Sequence, residues 1–157
     1  MNNEDNKDYT RREVEEVVPV LAYDKLTDCN RSFLVDVRTQ AEWSFVGTPG
    51  CQSMKNDVIF CEWASFPDMV KKPEFLEKLL SHLNLEKSDN IFFICRSGAR
   101  SFQAALELVG FLAESGKAFS GISCFNVKYG FEGGLSDDYK RGGINGWKFS
   151  NLPWQQL

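Results

Sequence analysis

The chain has 157 residues, of which 43% are hydrophobic and 25% charged, and its net charge is −4. This length fits one domain with a core of its own, and the composition is ordinary for a globular protein. The negative charge gives no general attraction to nucleic acid or to an anionic membrane. No stretch approaches the roughly 18 apolar residues of a membrane-spanning helix. We therefore expect no nucleic-acid partner and no membrane partner.

The first sixteen residues are polar and charged, with no apolar run. They predict a flexible tail over residues 1–16 before a single domain over residues 17–157, and they lack the apolar region of a secretion signal. The five cysteines form no CxxC pair, so we expect neither a zinc site nor a disulfide framework. These features predict a protein of the reducing cytoplasm that contains no metal.

The first half of the chain alternates between helical and strand patterns. Pro19 predicts the start of a helix over residues 18–26, and residues 33–37 predict a buried strand. Residues 38–45 predict a turn and a short helix, and residues 51–54 a brief strand. The connection over residues 55–72 carries large apolar side chains at helical spacing. We interpret these mainly as core contacts, with the wall of a substrate pocket as the alternative: Phe60, Trp63, Phe66 and Met69.

The second half continues the alternation. Pro73 predicts the start of a helix that runs to about Leu83, and residues 91–94 predict an inner strand. A second helix should begin about six residues after Cys95 and end near Ser115, before a strand over residues 121–127. Strands and helices in this order predict an α/β fold, a parallel sheet with helices on both faces.

Cys95 stands where the inner strand passes into the following helix. Free backbone N–H groups and the positive end of the helix dipole favour an anion at such a junction. Arg96 and Arg100 flank the helix start, where each cation is unfavourable by roughly several tenths of a kcal/mol. Both arginines could pair with distant acids, but we favour a loop built to receive an anionic substrate. We expect Cys95 to react as a thiolate.

Several segments of the chain resemble the rhodanese sulfurtransferases, in the order that this family shows. Residues 95–101 are similar to the family's active-site loop, and the first core strand ends in its Asp-x-Arg signature at residues 36–38. An acidic-aromatic pair, a Pro-Gly turn and a closing Trp and Leu-Pro also match: Glu42-Trp43, Pro49-Gly50, Gly146-Trp147 and Leu152-Pro153. The resemblance covers about residues 17–154.

The chain departs from this pattern at two places. Val46-Gly47-Thr48 stands where the family commonly has Gly-His-Ile. The glycines after the last core strand, Gly133 and Gly134, are followed by an extra segment over residues 135–145, which we call the 135–145 excursion. We interpret the excursion as a surface loop, with a lid or docking role as the alternative.

The resemblance implies a three-layer α/β sandwich with a central parallel sheet of about five strands. It also implies that Cys95 takes up a sulfane sulfur as a persulfide and passes it to a thiophilic acceptor, without an organic cofactor. Arg96 and Arg100 would bind an anionic donor such as thiosulfate, while a thiol or persulfide protein is a further candidate partner. The remaining residues would form the substrate loop through their backbone N–H groups and the serine hydroxyls: Ser97, Gly98, Ala99 and Ser101.

Two rival functions depend on the same loop. Cysteine-based phosphatases and some arsenate reductases place an arginine six positions after the cysteine, whereas Arg100 lies five positions after Cys95 and Ser101 occupies position six. The shorter loop suits a sulfur atom better than a tetrahedral phosphate. A docking module without catalysis is the other alternative, and the presence of Cys95 with both arginines argues against it.

Other side chains have simpler predicted roles. His82 should lie on the solvent side of its helix, so a cysteine–histidine dyad is not expected. Cys124 should be a core residue. Cys51 and Cys61 could approach the pocket and one of them could resolve the persulfide, but we favour simple packing or exposure for both. Trp147 and Trp154 should be packing anchors near the end of the domain.

Overall fold

The computed structural model describes residues 13–50 and 52–157. In chain order its elements are β1 (Val14–Val17), α1 (Pro19–Asp28), β2 (Ser32–Asp36), α2 (Gln40–Val46), β3 (Thr48–Pro49), β4 (Ile59–Phe60), β5 (Ala64–Ser65), β6 (Val70–Lys71), α3 (Phe75–His82), β7 (Asn90–Ile94), α4 (Ala99–Glu114), a 3-10 helix (Gly116–Phe119), β8 (Ser123–Val127) and β9 (Trp154–Gln155).

Five parallel strands form the central sheet in the order β1-β8-β7-β2-β4. Alternate residues of β7 point to opposite faces, as the pleat of a strand requires. Ile91 and Phe93 pack with α3 and α4, whereas Phe92 and Ile94 pack with α1 and the buried Trp147. The predicted α/β fold, a parallel sheet between two helical layers, is confirmed.

Local sequence signals explain where the helices begin. Pro19 opens α1, where its fixed φ and missing N–H carry no penalty. Thr39 and Glu42 form a reciprocal capping box at the start of α2. No helix in the described part of the chain is long and apolar enough to cross a membrane.

The ordered domain starts earlier than the sequence predicted. Residues 14–16 belong to β1, in which Val14 pairs with Cys124 and Val17 pairs with Val127. The predicted tail is therefore wrong for these residues, because the backbone of β8 pairs with a short acidic segment whose composition does not suggest a strand. The rest of that tail, residues 1–12, lies outside the described residues.

The connection between α2 and α3 also differs from expectation. Residues 52–54 form a turn, so the strand predicted over residues 51–54 is wrong where it can be compared, while Cys51 lies outside the described residues. Residues 55–72 contain β4 and an antiparallel hairpin of β5 and β6 instead of helical packing. Of the four apolar side chains expected in the core, Trp63 is partly buried against it, whereas three are exposed: Phe60 at 41%, Phe66 at 60% and Met69 at 39%.

The two C-terminal tryptophans have different surroundings. Trp147 is fully buried, donates its indole N–H to the Pro153 carbonyl over 2.9 Å and packs edge-on against Tyr23. Trp154 is 41% exposed and lies beneath the ammonium of Lys148 at 4.0 Å. The predicted anchoring role is confirmed for Trp147, whereas Trp154 forms part of the surface.

Candidate active site

Cys95 follows the carboxyl end of β7, an inner strand flanked by β2 and β8. Its side chain is 1% exposed and belongs to the core face shared with α3 and α4. The Cys95 carbonyl accepts a hydrogen bond from the Phe131 N–H over 2.8 Å. The sheet and the segment after β8 therefore hold the backbone of the cysteine on two sides.

The turn after Cys95 is tighter than the sequence suggested. Gly98 has a φ of +107°, a left-handed conformation that glycine adopts at little cost. This residue caps α4, which begins at Ala99, four residues after Cys95 rather than about six. The Gly98 N–H thereby turns back and donates to Cys95 Sγ over 3.1 Å. A predicted cradle donor thus contacts the sulfur directly.

Ser101 reaches the same sulfur from the first turn of α4. Its Oγ lies 3.2 Å from Cys95 Sγ and 2.6 Å from Asn126 Oδ1. Asn126 Nδ2 donates to the Gly98 carbonyl over 3.0 Å and to the Glu16 carboxylate over 3.1 Å, and both of these groups can only accept. The amide orientation is thereby set, and the Ser101 hydroxyl donates to Asn126 in the shorter contact.

Arg100 pairs with a carboxylate from α2. Its two terminal nitrogens donate to the two oxygens of Glu42 over 2.8 and 2.9 Å, and both side chains are only about 15% exposed. Burial by itself raises the pKa of Glu42, but the hydrogen bonds and charge of Arg100, aided by Thr39, lower the pKa below its ordinary 4.5. Burial opposes the charge on Arg100, yet Glu42 holds the pKa of Arg100 above its ordinary value.

A cleft of about 640 Å³ lies beside the loop. Arg96 and Arg100 line it, together with two apolar side chains of the β5–β6 hairpin, Phe66 and Met69. The rest of its wall comes from α2, from the hairpin and from the segment after β8: Glu42, Val46, Pro67, Glu132, Leu135, Tyr139 and Arg141. Pocket lining, the alternative interpretation of the long connection, is thus correct for Phe66 and Met69.

A buried ion pair supports the strand beside Cys95. Arg38 donates to Asp36 over 2.7 Å, and both side chains are fully buried. The same guanidinium donates to the Gly47 carbonyl over 2.9 Å and stacks over the Phe131 ring at 4.2 Å. This arrangement ties β2 to the end of α2 and to the segment after β8, as expected for a structural pair.

The other described cysteines differ in their surroundings. Cys61 is buried and its Sγ lies 3.9 Å from the Phe75 carbonyl, and burial raises the pKa of its thiol, which makes it a poor resolving nucleophile. Cys124 is buried in β8, as expected for a core residue, whereas Cys29 is exposed. His82 lies on the solvent side of α3, as predicted. The described residues contain no group of three or more His, Cys, Asp or Glu side chains that could hold a metal.

The structure brings Cys95, Gly98 and Ser101 together and places Arg96 and Arg100 on the cleft. Ser97 and Ala99 lie in the loop without a described hydrogen bond to the sulfur. Sequence reasoning missed the supporting residues Asn126 and Glu16. The available signal was Asn126 itself, a polar residue near the end of a predicted core strand. A buried polar side chain is nearly always hydrogen-bonded, so partners were to be expected there.

The rhodanese-like domain model matches residues 19–137. The chain is 40% identical over 142 residues to an uncharacterized protein of Rickettsia conorii, covering 90% of this chain and 98% of that one. The crystal structure of Rv0390 from M. tuberculosis superposes with a TM-score of 0.74 and 34% identity, covering 93% of this chain and all of that one.

A more distant structure shares the fold. The solution structure of the polysulfide-sulfur transferase homodimer from Wolinella succinogenes superposes with a TM-score of 0.56 and 20% identity, covering 94% of this chain and 82% of that one. The family match extends over most of the chain and includes the Cys95 loop. The chain therefore belongs to the rhodanese-like domain family.

Proposed function

We propose that the protein is a sulfurtransferase that carries a sulfane sulfur as a persulfide on Cys95. The observation that carries this proposal is the arrangement of polar groups around one sulfur atom. The Gly98 N–H lies 3.1 Å from Cys95 Sγ and the Ser101 Oγ lies 3.2 Å from it, at the start of a sixteen-residue helix. The Gly98 N–H and the positive end of the helix dipole stabilise a thiolate and the terminal sulfur of a persulfide in the same way.

The proposed reaction needs no external oxidant or reductant. The Cys95 thiolate attacks the outer sulfur of thiosulfate, the S–S bond of thiosulfate breaks, and sulfite leaves with the electron pair. The acceptor then attacks the outer sulfur of the persulfide, and Cys95 departs as a thiolate. With cyanide as the acceptor the product is thiocyanate, and with a thiol it is an organic persulfide.

Arg96 and Arg100 have different roles in binding the donor. Arg96 is exposed and lines the cleft, and its guanidinium has no carboxylate partner within 4.0 Å among the described residues. Arg100 is held by Glu42 and contributes through its remaining N–H groups and its position at the start of α4. Arg96 therefore supplies the charge that attracts an anionic donor.

The proposal extends to the donor and the compartment. Thiosulfate or another small anionic sulfur compound serves as donor, and a thiol or persulfide protein is a further candidate partner. Cys29, Cys61 and Cys95 are free thiols, in keeping with a reducing cytoplasm. A polysulfide-sulfur transferase of Wolinella succinogenes shares this fold.

Thiocyanate formation from thiosulfate and cyanide tests the proposal. Wild-type protein should turn over, Cys95→Ser should be inactive, and Cys29→Ser should match the wild type because Cys29 is an exposed thiol outside the site. Parallel assays with an aryl phosphate cover the phosphatase alternative. Phosphate release that depends on Cys95, without thiocyanate formation, would overturn the proposal, and a folded protein inactive in both assays would favour a docking module.

A further inference from the structure

The 135–145 excursion is built directly onto the Cys95 loop. The segment that leads into it donates two backbone hydrogen bonds to the Arg96 carbonyl, from the Glu132 N–H over 3.0 Å and from the Gly133 N–H over 3.2 Å. Leu135, Tyr139 and Arg141 then line the same cleft as Arg96. The excursion is therefore a wall of the candidate active site rather than a remote surface loop.

Hydrogen bonds join the two ends of the 135–145 excursion and residues within it. The Gly134 N–H donates to Asn145 Oδ1 over 2.8 Å, and the Ser136 N–H donates to the Lys140 carbonyl over 2.8 Å. The guanidinium of Arg141 donates to the Gly133 carbonyl over 2.8 Å, which uses one of its N–H groups. Arg141 is thereby held at the base of the excursion with N–H donors left for a ligand.

The charges of the cleft leave two cations without a carboxylate. Glu42 pairs with Arg100, whereas Arg96 and Arg141 have no carboxylate oxygen within 4.0 Å among the described residues. Glu132 is the one carboxylate of the lining without an ion pair in the described part of the chain. The cleft thus presents one arginine beside the cysteine and another on the wall formed by the excursion.

The size and the apolar lining indicate a ligand larger than an inorganic anion. The cleft measures about 640 Å³, within the range of about 300–1,000 Å³ in which proteins enclose organic ligands. Thiosulfate would fill only a small part of it and would leave the side chains of Phe66, Met69 and Leu135 without a partner. An organic sulfur compound would contact these side chains while its sulfur lies near Cys95.

We propose that the 135–145 excursion forms a subsite for the organic part of a carboxylate-bearing persulfide or thiol, and that Arg141 binds the carboxylate. This proposal deepens the proposed function and rests on it. Arg96 attracts the anionic sulfur end, Phe66 and Leu135 contact the carbon chain, and Arg141 selects for the distant carboxylate by a charge-assisted hydrogen bond.

Matched variants test this subsite. Arg141→Gln removes the charge from the cleft, whereas Lys140→Gln removes a charge from the same excursion outside the cleft, where Lys140 is exposed and lies 3.2 Å from Asp138. Initial rates are measured with glutathione persulfide, which carries carboxylates, and with the uncharged persulfide of 2-mercaptoethanol. Binding of S-methylglutathione, an unreactive thioether that carries the same carboxylates, is measured by calorimetry.

For Arg141→Gln we expect the ratio of kcat/KM between the carboxylate donor and the uncharged donor to fall about tenfold, with the loss mainly in KM. S-methylglutathione should bind about tenfold more weakly to Arg141→Gln, and Lys140→Gln should leave both quantities at the wild-type level. An unchanged donor ratio in Arg141→Gln, or equal effects of the two variants, would overturn the proposal.

The readouts separate this subsite from the proposed reaction. If S-methylglutathione binds in an Arg141-dependent way but no donor loads Cys95, the subsite stands and sulfur transfer fails. If thiosulfate loads Cys95 but Arg141→Gln changes neither the binding nor the donor ratio, sulfur transfer stands and the subsite fails.

Discussion

Arg100 and Glu42 lie 58 residues apart in the chain and are joined by two hydrogen bonds of 2.8 and 2.9 Å. The pair connects α2 to the first turn of α4, which directly follows the turn after Cys95. Glu42 also accepts hydrogen bonds from the backbone N–H and the hydroxyl of Thr39. One carboxylate thus caps α2 and fixes the arginine next to the candidate nucleophile.

Glu42→Gln should destabilise the protein, because it leaves the Arg100 guanidinium largely buried without a charged partner. The expected loss in the free energy of unfolding is about 2 kcal/mol, between the ~1 kcal/mol of an exposed pair and the ~3–5 kcal/mol of a broken buried pair. Denaturant unfolding measures the loss. Glu62→Gln is the control, since the Glu62–Lys72 contact is longer, at 3.4 Å, and its loss should be smaller. Equal losses in the two variants would contradict the role given to Glu42.

The lowered pKa of Glu42 predicts that the stability of the protein depends on pH. The pKa of Glu42 is lower in the folded protein than its ordinary 4.5, so the folded state binds the proton more weakly than the unfolded chain does. The stabilisation that Glu42 contributes is therefore complete above its pKa in the unfolded chain, and it is lost as the pH falls through its lower pKa in the folded protein. The difference in unfolding free energy between the wild type and Glu42→Gln should be constant near neutral pH and shrink below about pH 4.5. A difference that grows on acidification would show that the shift has the opposite sign.

The two serines of the loop should respond differently to truncation. Ser101→Ala removes the donor of the 2.6 Å hydrogen bond to Asn126 Oδ1, and Asn126 is only 2% exposed. An unsatisfied buried carbonyl costs about 1–3 kcal/mol of stability. Ser97→Ala should cost little, because the Ser97 hydroxyl has no hydrogen-bond partner among the described residues. Denaturant unfolding of both variants is the measurement, and a larger loss for Ser97→Ala would refute the assignment.

Gly130 should tolerate no side chain. Its φ is +65°, and a Cβ at this position would lie 2.5 Å from the Cys95 carbonyl oxygen and 2.6 Å from the Arg96 carbonyl. We expect Gly130→Ala to cost about 2–4 kcal/mol, from the left-handed backbone and the overlap together. Gly110→Ala is the matched control on α4, where a Cβ meets nothing within 4 Å, and it should gain about 0.5–1 kcal/mol. Thermal unfolding of the two variants should shift in opposite directions, and a shift in the same direction would contradict this account.

Sequence patterns were sufficient for the fold and for the position of Cys95. The apolar run before the cysteine and the helical spacing after it are local signals, and they place the thiol at a strand-to-helix junction, as observed. The early start of α4 is different, because it depends on the left-handed conformation of Gly98, and glycine in a sequence does not reveal which sign of φ it adopts.

The partners of the site could not be predicted because they come from distant parts of the chain. The pairing of Arg100 with Glu42 and the contact of Asn126 with Glu16, 110 residues away, depend on how α2 and β1 pack in the fold. For Arg100, the structure shows the alternative interpretation, in which the arginine pairs with a distant acid. Arg141 could not be assigned either, because the excursion has no periodic pattern that would indicate which side chain lines the cleft.

The mass of the intact protein after incubation with thiosulfate tests the central claim most directly. The wild type should gain the mass of one sulfur atom and lose it on addition of cyanide, whereas Cys95→Ser should gain nothing. Cys29→Ser, which removes an exposed thiol, should gain sulfur as the wild type does. A folded wild-type protein that gains no sulfur from thiosulfate or from an organic persulfide, or a Cys95→Ser variant that gains as much as the wild type, would contradict a persulfide on Cys95.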